Sequence, residues 1–242
     1  MKSGGAGHLA PYVLGREVEV EAGLPLGIAD GVEYAESVTR GERFTLVSDG
    51  VVEAVYLPAT EVGGDFYQVL DSADGASIVL VGDVSGKGLK AAMLVSLAVG
   101  ILRNEKSNSP AEILSALNDG LAGRTGGGFV TCCCARFDAD GTVNIANAGH
   151  PAPYCDGHEV EVEAGLPLGI AQGVAYSELV TRGESFTFVS DGVVEAENAQ
   201  RELFGFDRTR EISTKSAQEI AQAAKAWRQN DDITVVTVRR AS

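Results

Sequence analysis

One segment of fifty residues occurs twice in this chain, and the repeat limits the folds that are open to it. Residues 5–54 align with residues 147–196 without a gap, and 39 of the 50 positions are identical. Repeat arrays need several short units in succession, so two distant copies do not form a solenoid. We therefore divide the chain into a partial duplicate, residues 1–54, and a principal domain, residues 55–242.

Composition excludes several classes of partner. The chain has 34 acidic and 19 basic residues, and a net charge of −15 repels nucleic acid. Its longest apolar run, residues 91–102, is shorter than the roughly 20 residues that span a bilayer, and the N-terminus lacks the apolar segment of a signal peptide. We expect a cytoplasmic protein that binds neither nucleic acid nor membrane.

Three of the four cysteines are consecutive, at positions 132–134. Neighbouring side chains of a strand point to opposite faces, so these three cannot converge on one metal ion. We predict buried, reduced thiols.

Helical and strand patterns are segregated along the chain. Helices are predicted for residues 88–104, 109–123 and 216–227. The first is apolar on almost all sides. The second opens with a capping sequence formed by Ser109, Pro110 and Glu112. Strand patterns cover residues 77–82, several pieces after Gly128, and the closing residues 233–240. This arrangement favours an α+β fold of antiparallel sheets with helices on the outside.

Aspartates mark the points where apolar strand patterns start or stop. They occur in EVGGDFYQV, IVLVGDVSGKG, FTFVSDG and QNDDITVV. A single Asp beside Gly usually marks an ordinary turn. If these strand ends converge, however, the repulsion among the carboxylates must be offset by cations, and oxygen-only ligands select hard ions such as Mg²⁺ or Mn²⁺. Spacing alone leaves both interpretations open.

The ordered motifs of residues 55–242 resemble a known family. EVGGDFYQV, VGDVSGKGLKAAMLVS, NAGHPAPY, GLPLGI, FTFVSDGVVEA and NDDITVVTV are similar to the catalytic domain of bacterial metal-dependent Ser/Thr protein phosphatases. These belong to the protein phosphatase 2C-like (PPM) group, in the branch typified by stage II sporulation protein E. The resemblance implies a four-layer α-β-β-α sandwich, two antiparallel sheets flanked by helices, with two Mn²⁺ or Mg²⁺ ions at one end.

The resemblance also implies residue roles. Four aspartates match the catalytic and metal-site positions of the family, and the resemblance gives the backbone carbonyl of Val84 as a further metal ligand. Asp232 is a second choice as a metal ligand, because many relatives have Asn at that position. The four aspartates are Asp65, Asp83, Asp191 and Asp231. Lys87 stands where many relatives have His, and it could lie near substrate phosphate or face solvent, which we favour slightly. His150 could be a general acid, but a hydrogen-bonded structural histidine is the better expectation.

The implied activity is hydrolysis of phosphoserine or phosphothreonine on a regulatory protein, such as an anti-sigma-factor antagonist in a partner-switching circuit. A water molecule activated by the two ions would attack phosphorus.

The alternative is a catalytically inactive phosphatase fold that only binds a phosphoprotein. A nucleotide-binding loop at VGDVSGKG is excluded, because Gly82 and Gly86 are separated by three residues instead of four and Gly88 replaces the Ser or Thr that would bind Mg²⁺.

The first copy lacks equivalents of Asp65, Asp83 and Asp231, so it cannot be a second site. Its strand pattern matches that of the second copy, and the two could compete for one position in a sheet. We expect residues 5–54 either to dock on a sheet edge or to form a homodimer by strand exchange. The alternative is an appendage without a regulatory role.

Overall fold

The computed structural model describes residues 12–13, 16–17, 44–46, 50–59, 63–72 and 74–240. Thirteen strands and five helices lie within these ranges. The strands are β1 (Tyr12–Val13), β2 (Arg16–Glu17), β3 (Phe44–Leu46), β4 (Gly50–Leu57), β5 (Asp65–Asp71), β6 (Ser77–Val84), β7 (Val130–Phe137), β8 (Val143–Ala148), β9 (Tyr154–Cys155), β10 (His158–Glu159), β11 (Leu179–Thr181), β12 (Ser185–Val189) and β13 (Ile233–Arg240). The helices are α1 (Leu89–Asn104), α2 (Pro110–Leu121), α3 (Asp191–Val194), α4 (Gly205–Ile212) and α5 (Ala217–Arg228).

Two large sheets form the centre of the molecule. One has the strand order β11-β8-β7-β6-β5, and the other has the order β10-β9-β12-β13-β4-β3. All ladders between the described strands are antiparallel. The strand β13, last in the chain, is central in its sheet, between β12 and β4. Strand β13 therefore connects the two halves of the second sheet through its hydrogen bonds to β12 and β4.

Three apolar clusters separate four layers. The first packs α1 and α2 on the outer face of the five-stranded sheet, the second fills the space between the sheets, and the third packs α5 and its neighbours on the outer face of the six-stranded sheet. Alternation along each strand produces this division: Val79 and Val81 of β6 face the other sheet, whereas Ile78 and Leu80 face the helices. The predicted α+β, four-layer α-β-β-α sandwich is confirmed.

The helix starts follow the capping sequences. Ser109 accepts a hydrogen bond from the backbone N–H of Glu112, with Pro110 at the first helical position. Ser216 and Glu219 form a reciprocal capping box at the start of α5. These bonds satisfy N–H groups that have no partner within the helix.

One prediction about α1 is wrong. Its apolar sequence suggested a helix covered on most sides, but only Ala91, Ala98 and Leu102 are buried, while Leu89 and Met93 are exposed. When a helix is apolar on several sides, its sequence does not show which face packs on the sheet.

None of the described helices has the length and apolarity needed to cross a membrane. The thiols of Cys132, Cys133 and Cys134 are free and buried, as predicted.

Part of one repeated sequence adopts different structures in the two copies. VSDGVVEA occurs at residues 47–54 and again at residues 189–196. In the first copy residues 50–54 belong to β4, which pairs with β13 along all eight residues. In the second copy residues 191–194 form the short helix α3. Tertiary contacts decide between the two states, because the local propensities are identical.

The position of β4 affects the predicted domain boundary. The division between residues 54 and 55 falls inside this strand, so residues 50–54 of the first copy are part of the six-stranded sheet. Residues Phe44–Leu46 of the first copy pair with β4 and lie at the edge of that sheet. Their counterparts in the second copy belong to β12, on the other side of β13. Other residues of the first copy, including Asp49, lie outside the described residues.

Two truncations test the role of β4. Deletion of residues 1–49 leaves this strand whole, and we expect cooperative thermal unfolding. Deletion of residues 1–54 removes Val52 and Ala54, which are buried between the sheets, and uncovers β13. Loss of these contacts should cost about 3 kcal/mol or more of unfolding free energy. Circular dichroism during heating gives the unfolding temperature of each truncated protein. Equal unfolding temperatures would contradict the assignment of residues 50–54 to the domain.

Candidate metal centre

Three aspartates from distant parts of the chain meet at one end of the gap between the sheets. Asp65 starts β5, Asp83 lies near the end of β6, and Asp191 follows β12 at the start of α3. One carboxylate oxygen of each lies within 4.8 Å of the others. The sequence identified these residues separately, and the fold brings them together.

Strand register explains the pairing of the first two. Asp65 and Asp83 are directly opposite each other in the antiparallel ladder between β5 and β6. Directly opposite residues project from the same face of a sheet. That face is shared with Tyr67 and Val81, which pack between the sheets. Both carboxylates therefore point into the gap between the two sheets.

Two polar residues hold Asp65 in place, Thr234 of β13 and Ser190 between β12 and α3. The hydroxyl of Thr234 donates a hydrogen bond of 2.6 Å to the Asp65 carboxylate. The Thr234 backbone N–H in turn donates to the Ser190 hydroxyl at 2.9 Å. Both residues are fully buried. Neither residue was predicted from the sequence, although a Thr within the apolar run of β13 is a detectable signal.

Burial and mutual repulsion disfavour the charged forms of these carboxyls. Burial is the main cause that raises the pKa of Asp65 to about 8, with added repulsion from Asp83 and Asp191. Burial followed by repulsion from Asp191 raises the pKa of Asp83 to about 6. The pKa of Asp191 is also raised, first by burial and then by repulsion from Glu195. A bound cation would remove this penalty.

The donor set fits a hard divalent cation. Carboxylate oxygens from three residues converge within bonding range of a shared ion, and Mg²⁺ and Mn²⁺ prefer such ligands. The backbone oxygen of Val84 is close by: a Cβ on Gly64 would lie 2.6 Å from it and 2.9 Å from a carboxylate oxygen of Asp83. Only glycine at position 64 leaves room for both oxygens.

Asp231 lies beside this cluster and pairs with a lysine. Its Oδ2 atom is 3.0 Å from the Nζ atom of Lys87, and its Oδ1 atom accepts a hydrogen bond from the backbone N–H of Asp232. The charge of Asp231 contributes to the raised pKa values of Asp83 and Asp191. Although half-exposed, Lys87 does not simply face solvent as we favoured, because it pairs with Asp231.

Asp232 has a different position from the other four. Its side chain is buried, and its two oxygens accept hydrogen bonds of 2.8 Å from the backbone N–H groups of Ala59 and Gly64. A Cβ on Gly63 would collide with this carboxylate. We therefore propose that Asp232 positions the segment that leads to Asp65 and is not itself a metal ligand, which departs from the sequence prediction.

His150 is a structural residue in this fold. Its side chain is buried, its Nδ1 atom is 2.9 Å from the Thr131 hydroxyl, and its backbone N–H and carbonyl both bond to the Asn147 amide. Burial lowers its pKa to about 3. A neutral, enclosed imidazole is poorly suited to protonate a leaving group at neutral pH.

Comparisons with known proteins identify a family for this chain. The family model described as "Stage II sporulation protein E (SpoIIE)" matches residues 73–241. Protein IcfG of Synechocystis is 26% identical in an alignment that covers 78% of this chain and 38% of that protein. The chain thus spans well under half the length of this curated relative.

Solved structures show the same architecture. The SiaA-PP2C domain of Pseudomonas aeruginosa superposes with a TM-score of 0.66 at 23% identity, over 81% of this chain and 87% of that one. The RsbU and RsbW domains of a Mycobacterium tuberculosis protein give 0.66 at 25% identity, over 81% and 63%. The family match begins after Asp65, so the assignment of Asp65 to the site rests on the geometry.

The carboxylate cluster predicts a stability that depends on pH in the absence of metal ions. The pKa of Asp65 is about 8 in the folded protein and 3.8 without the fold, so this group's stabilising contribution is lost as pH rises toward 8. His150 has an opposing effect that is complete above its ordinary pKa of 6.5. Between pH 6.5 and 8 the net loss should be about 1 kcal/mol.

Thermal unfolding in EDTA at pH 6.5 and 8 measures this loss. Mn²⁺ should restore the unfolding temperature at pH 8, because cations replace the proton. Asp65→Asn should remove most of the pH effect. An unfolding temperature that stays constant or rises with pH in EDTA would contradict the charge arrangement.

A second prediction concerns Asp232. Asp232→Ala leaves the backbone N–H groups of Ala59 and Gly64 without their acceptor, and should cost about 2–4 kcal/mol of unfolding free energy. Urea titration of the metal-free protein measures the change. Asp71→Ala, at the exposed end of β5, is the control and should have little effect. Equal stability of the two variants would exclude the positioning role.

Proposed function

Because this chain belongs to the stage II sporulation protein E family of PP2C-like phosphatases, we propose that it is a metal-dependent protein serine/threonine phosphatase. The observation that carries the proposal is the convergence of Asp65, Asp83 and Asp191, whose oxygens meet within 4.8 Å. A purely structural role does not account for three mutually repelling, largely buried carboxylates, since they cost folding energy without a cation.

Two Mn²⁺ or Mg²⁺ ions are the proposed cofactors. Asp65, Asp83 and Asp191 would hold them with the Val84 carbonyl, and Asp231 lies next to this set. When bound, such ions lower the pKa of water and neutralise charge that develops on phosphoryl oxygens. The protein itself supplies a fixed ligand frame: Thr234 orients Asp65, and Gly64 leaves room for the oxygens of Asp83 and Val84.

The shape of the site suits a phosphate carried on a protein. Asp65 is buried at the base, Asp83 and Asp191 are half-buried, and the side chains of Lys87 and Asp231 are 51% and 48% exposed at the rim. A phosphoserine or phosphothreonine has a short stem, so its phosphate can reach ligands that lie this close to the surface. No side-chain nucleophile is required in this proposal, since water attacks the phosphorus.

The substrate class that we propose is a phosphorylated regulatory protein, such as an anti-sigma-factor antagonist in a partner-switching circuit. Supporting this, the Mycobacterium tuberculosis structure combines an RsbU domain with an RsbW domain. The alternative is a phosphatase fold that binds a phosphoprotein without cleaving it. The turnover assay below separates the two, because binding alone releases no phosphate.

A homodimer formed by strand exchange through residues 5–54 is a further part of the proposal. The supporting observation is that β3 is the edge strand of the six-stranded sheet among the described residues, and the corresponding strand of a second molecule has the same complementarity. Sedimentation of the full chain and of the chain without residues 1–49 would distinguish an exchanged dimer from a monomer.

Loss of one carboxylate tests the catalytic proposal. Asp83→Asn should reduce Mn²⁺-dependent hydrolysis of p-nitrophenyl phosphate and of a phosphoserine peptide by about 10²–10³-fold, because it removes a charged ligand from the cluster. Asp71→Asn, on an exposed carboxylate at the other end of β5, should retain activity. Turnover that is unchanged by Asp83→Asn would end the two-metal proposal, and absence of turnover in the unmodified protein would favour the binding module.

A further inference from the structure

An ion pair at the rim of the carboxylate cluster has no part in the function proposed above. The ammonium of Lys87 lies 3.0 Å from Asp231 Oδ2. Among the ion pairs of the described residues, this is the one that places a basic side chain beside the cluster. The positive charge of Lys87 also acts on Asp191, where it favours the ionised carboxyl.

Lys87 is placed by a short loop of the fold. It follows β6 and precedes α1, between Gly86 and Gly88, whose φ angles of 101° and 75° are in the left-handed region. These glycines let the chain reverse direction within a few residues. The lysine thereby comes from the loop next to Asp83 and Val84 and reaches Asp231, two residues before the start of β13.

The pair is held loosely enough to be exchanged. Both side chains are about half exposed, and exposed ion pairs contribute little net free energy. A divalent cation near Asp231 carries twice the charge of the ammonium and repels it. Cation binding at Asp231 and the Lys87–Asp231 pair therefore compete for the same oxygen.

We propose that Lys87 alternates between two anions: it neutralises Asp231 while no cation is bound there, and after a cation takes Asp231 it binds the phosphoryl group of the substrate. This inference rests on the proposed function. A lysine ammonium is a compact point charge on a flexible stem, which suits contact with a phosphate dianion in more than one geometry. Lys87 is thus a positioning residue for substrate as well as a competitor of the cation.

The proposal predicts opposite changes from one substitution. Lys87→Met removes the charge and keeps most of the stem. Metal-free protein with this change should bind Mn²⁺ about three- to tenfold more tightly by calorimetry, because the competing ammonium is gone. With saturating Mn²⁺, its KM for p-nitrophenyl phosphate and its inhibition constant for inorganic phosphate should both rise by about the same factor, since the phosphate contact is lost.

Matched variants separate this role from a structural one. Lys87→Arg keeps the charge and should restore near-normal Mn²⁺ affinity. Lys90→Met removes an exposed lysine from the first turn of α1 and should change neither quantity. In an Asp231→Asn background, Lys87→Met should no longer tighten Mn²⁺ binding, because the competition has lost its shared oxygen. Thermal unfolding in EDTA verifies that each variant is folded.

Two outcomes would overturn the inference. If Lys87→Met leaves Mn²⁺ affinity unchanged or weakens it, Lys87 does not compete with the cation. If KM and the phosphate inhibition constant do not change, the ammonium does not contact the phosphoryl group. Failure of the proposed function is seen separately, since unmodified protein with saturating Mn²⁺ would then show no hydrolysis.

Discussion

The repulsion among carboxylates gathered at one end of two stacked sheets is the constraint on which the rest of the site depends. Separated along the chain by more than a hundred residues, Asp65 and Asp191 meet within 4.8 Å, and each makes ionisation of the other harder. The fold tolerates this cost because the ladders on either side are long and their interior is apolar. Antiparallel pairing of β5 with β6 sets Asp65 opposite Asp83, and a different register would turn one of them toward the helices.

The second sheet contributes more than a cover for this cluster. Its central strand β13 starts directly after Asp231 and Asp232, and it provides Thr234 as a donor to Asp65. Asp232 anchors the backbone at Ala59 and Gly64, just ahead of Asp65. One short stretch thus links stability to site geometry: the residues that begin the central strand also place the first carboxylate. Disturbance of this strand start would therefore affect folding and ligand geometry together.

The duplicated segment shows how strongly context controls local structure in this protein. VSDGVVEA contributes β4 residues in one copy and the helix α3 in the other. In the first copy Val51 and Val52 pair with β13 in an antiparallel ladder. In the second copy Gly192 lies so close to the Asp232 carbonyl that a side chain would collide with it, and Val193 and Val194 pack in the cluster around α5. Identical residues thus contribute to the central sheet and to the turn that carries Asp191.

Much of the architecture was determined by the sequence alone. Short apolar runs bounded by turn residues located β6, β7 and β13, capping residues located the start of α2, and aspartates beside strand ends identified the carboxylates of the site. These are local signals, readable within a few residues. The tertiary structure alone decided which carboxylates meet and which face of α1 is covered. It also decided that Asp232 anchors the backbone and that Lys87 pairs with Asp231. Finally, it decided which copy of GVVEA becomes a strand. Such outcomes depend on register and burial between segments far apart in the chain, and no local window of residues encodes them.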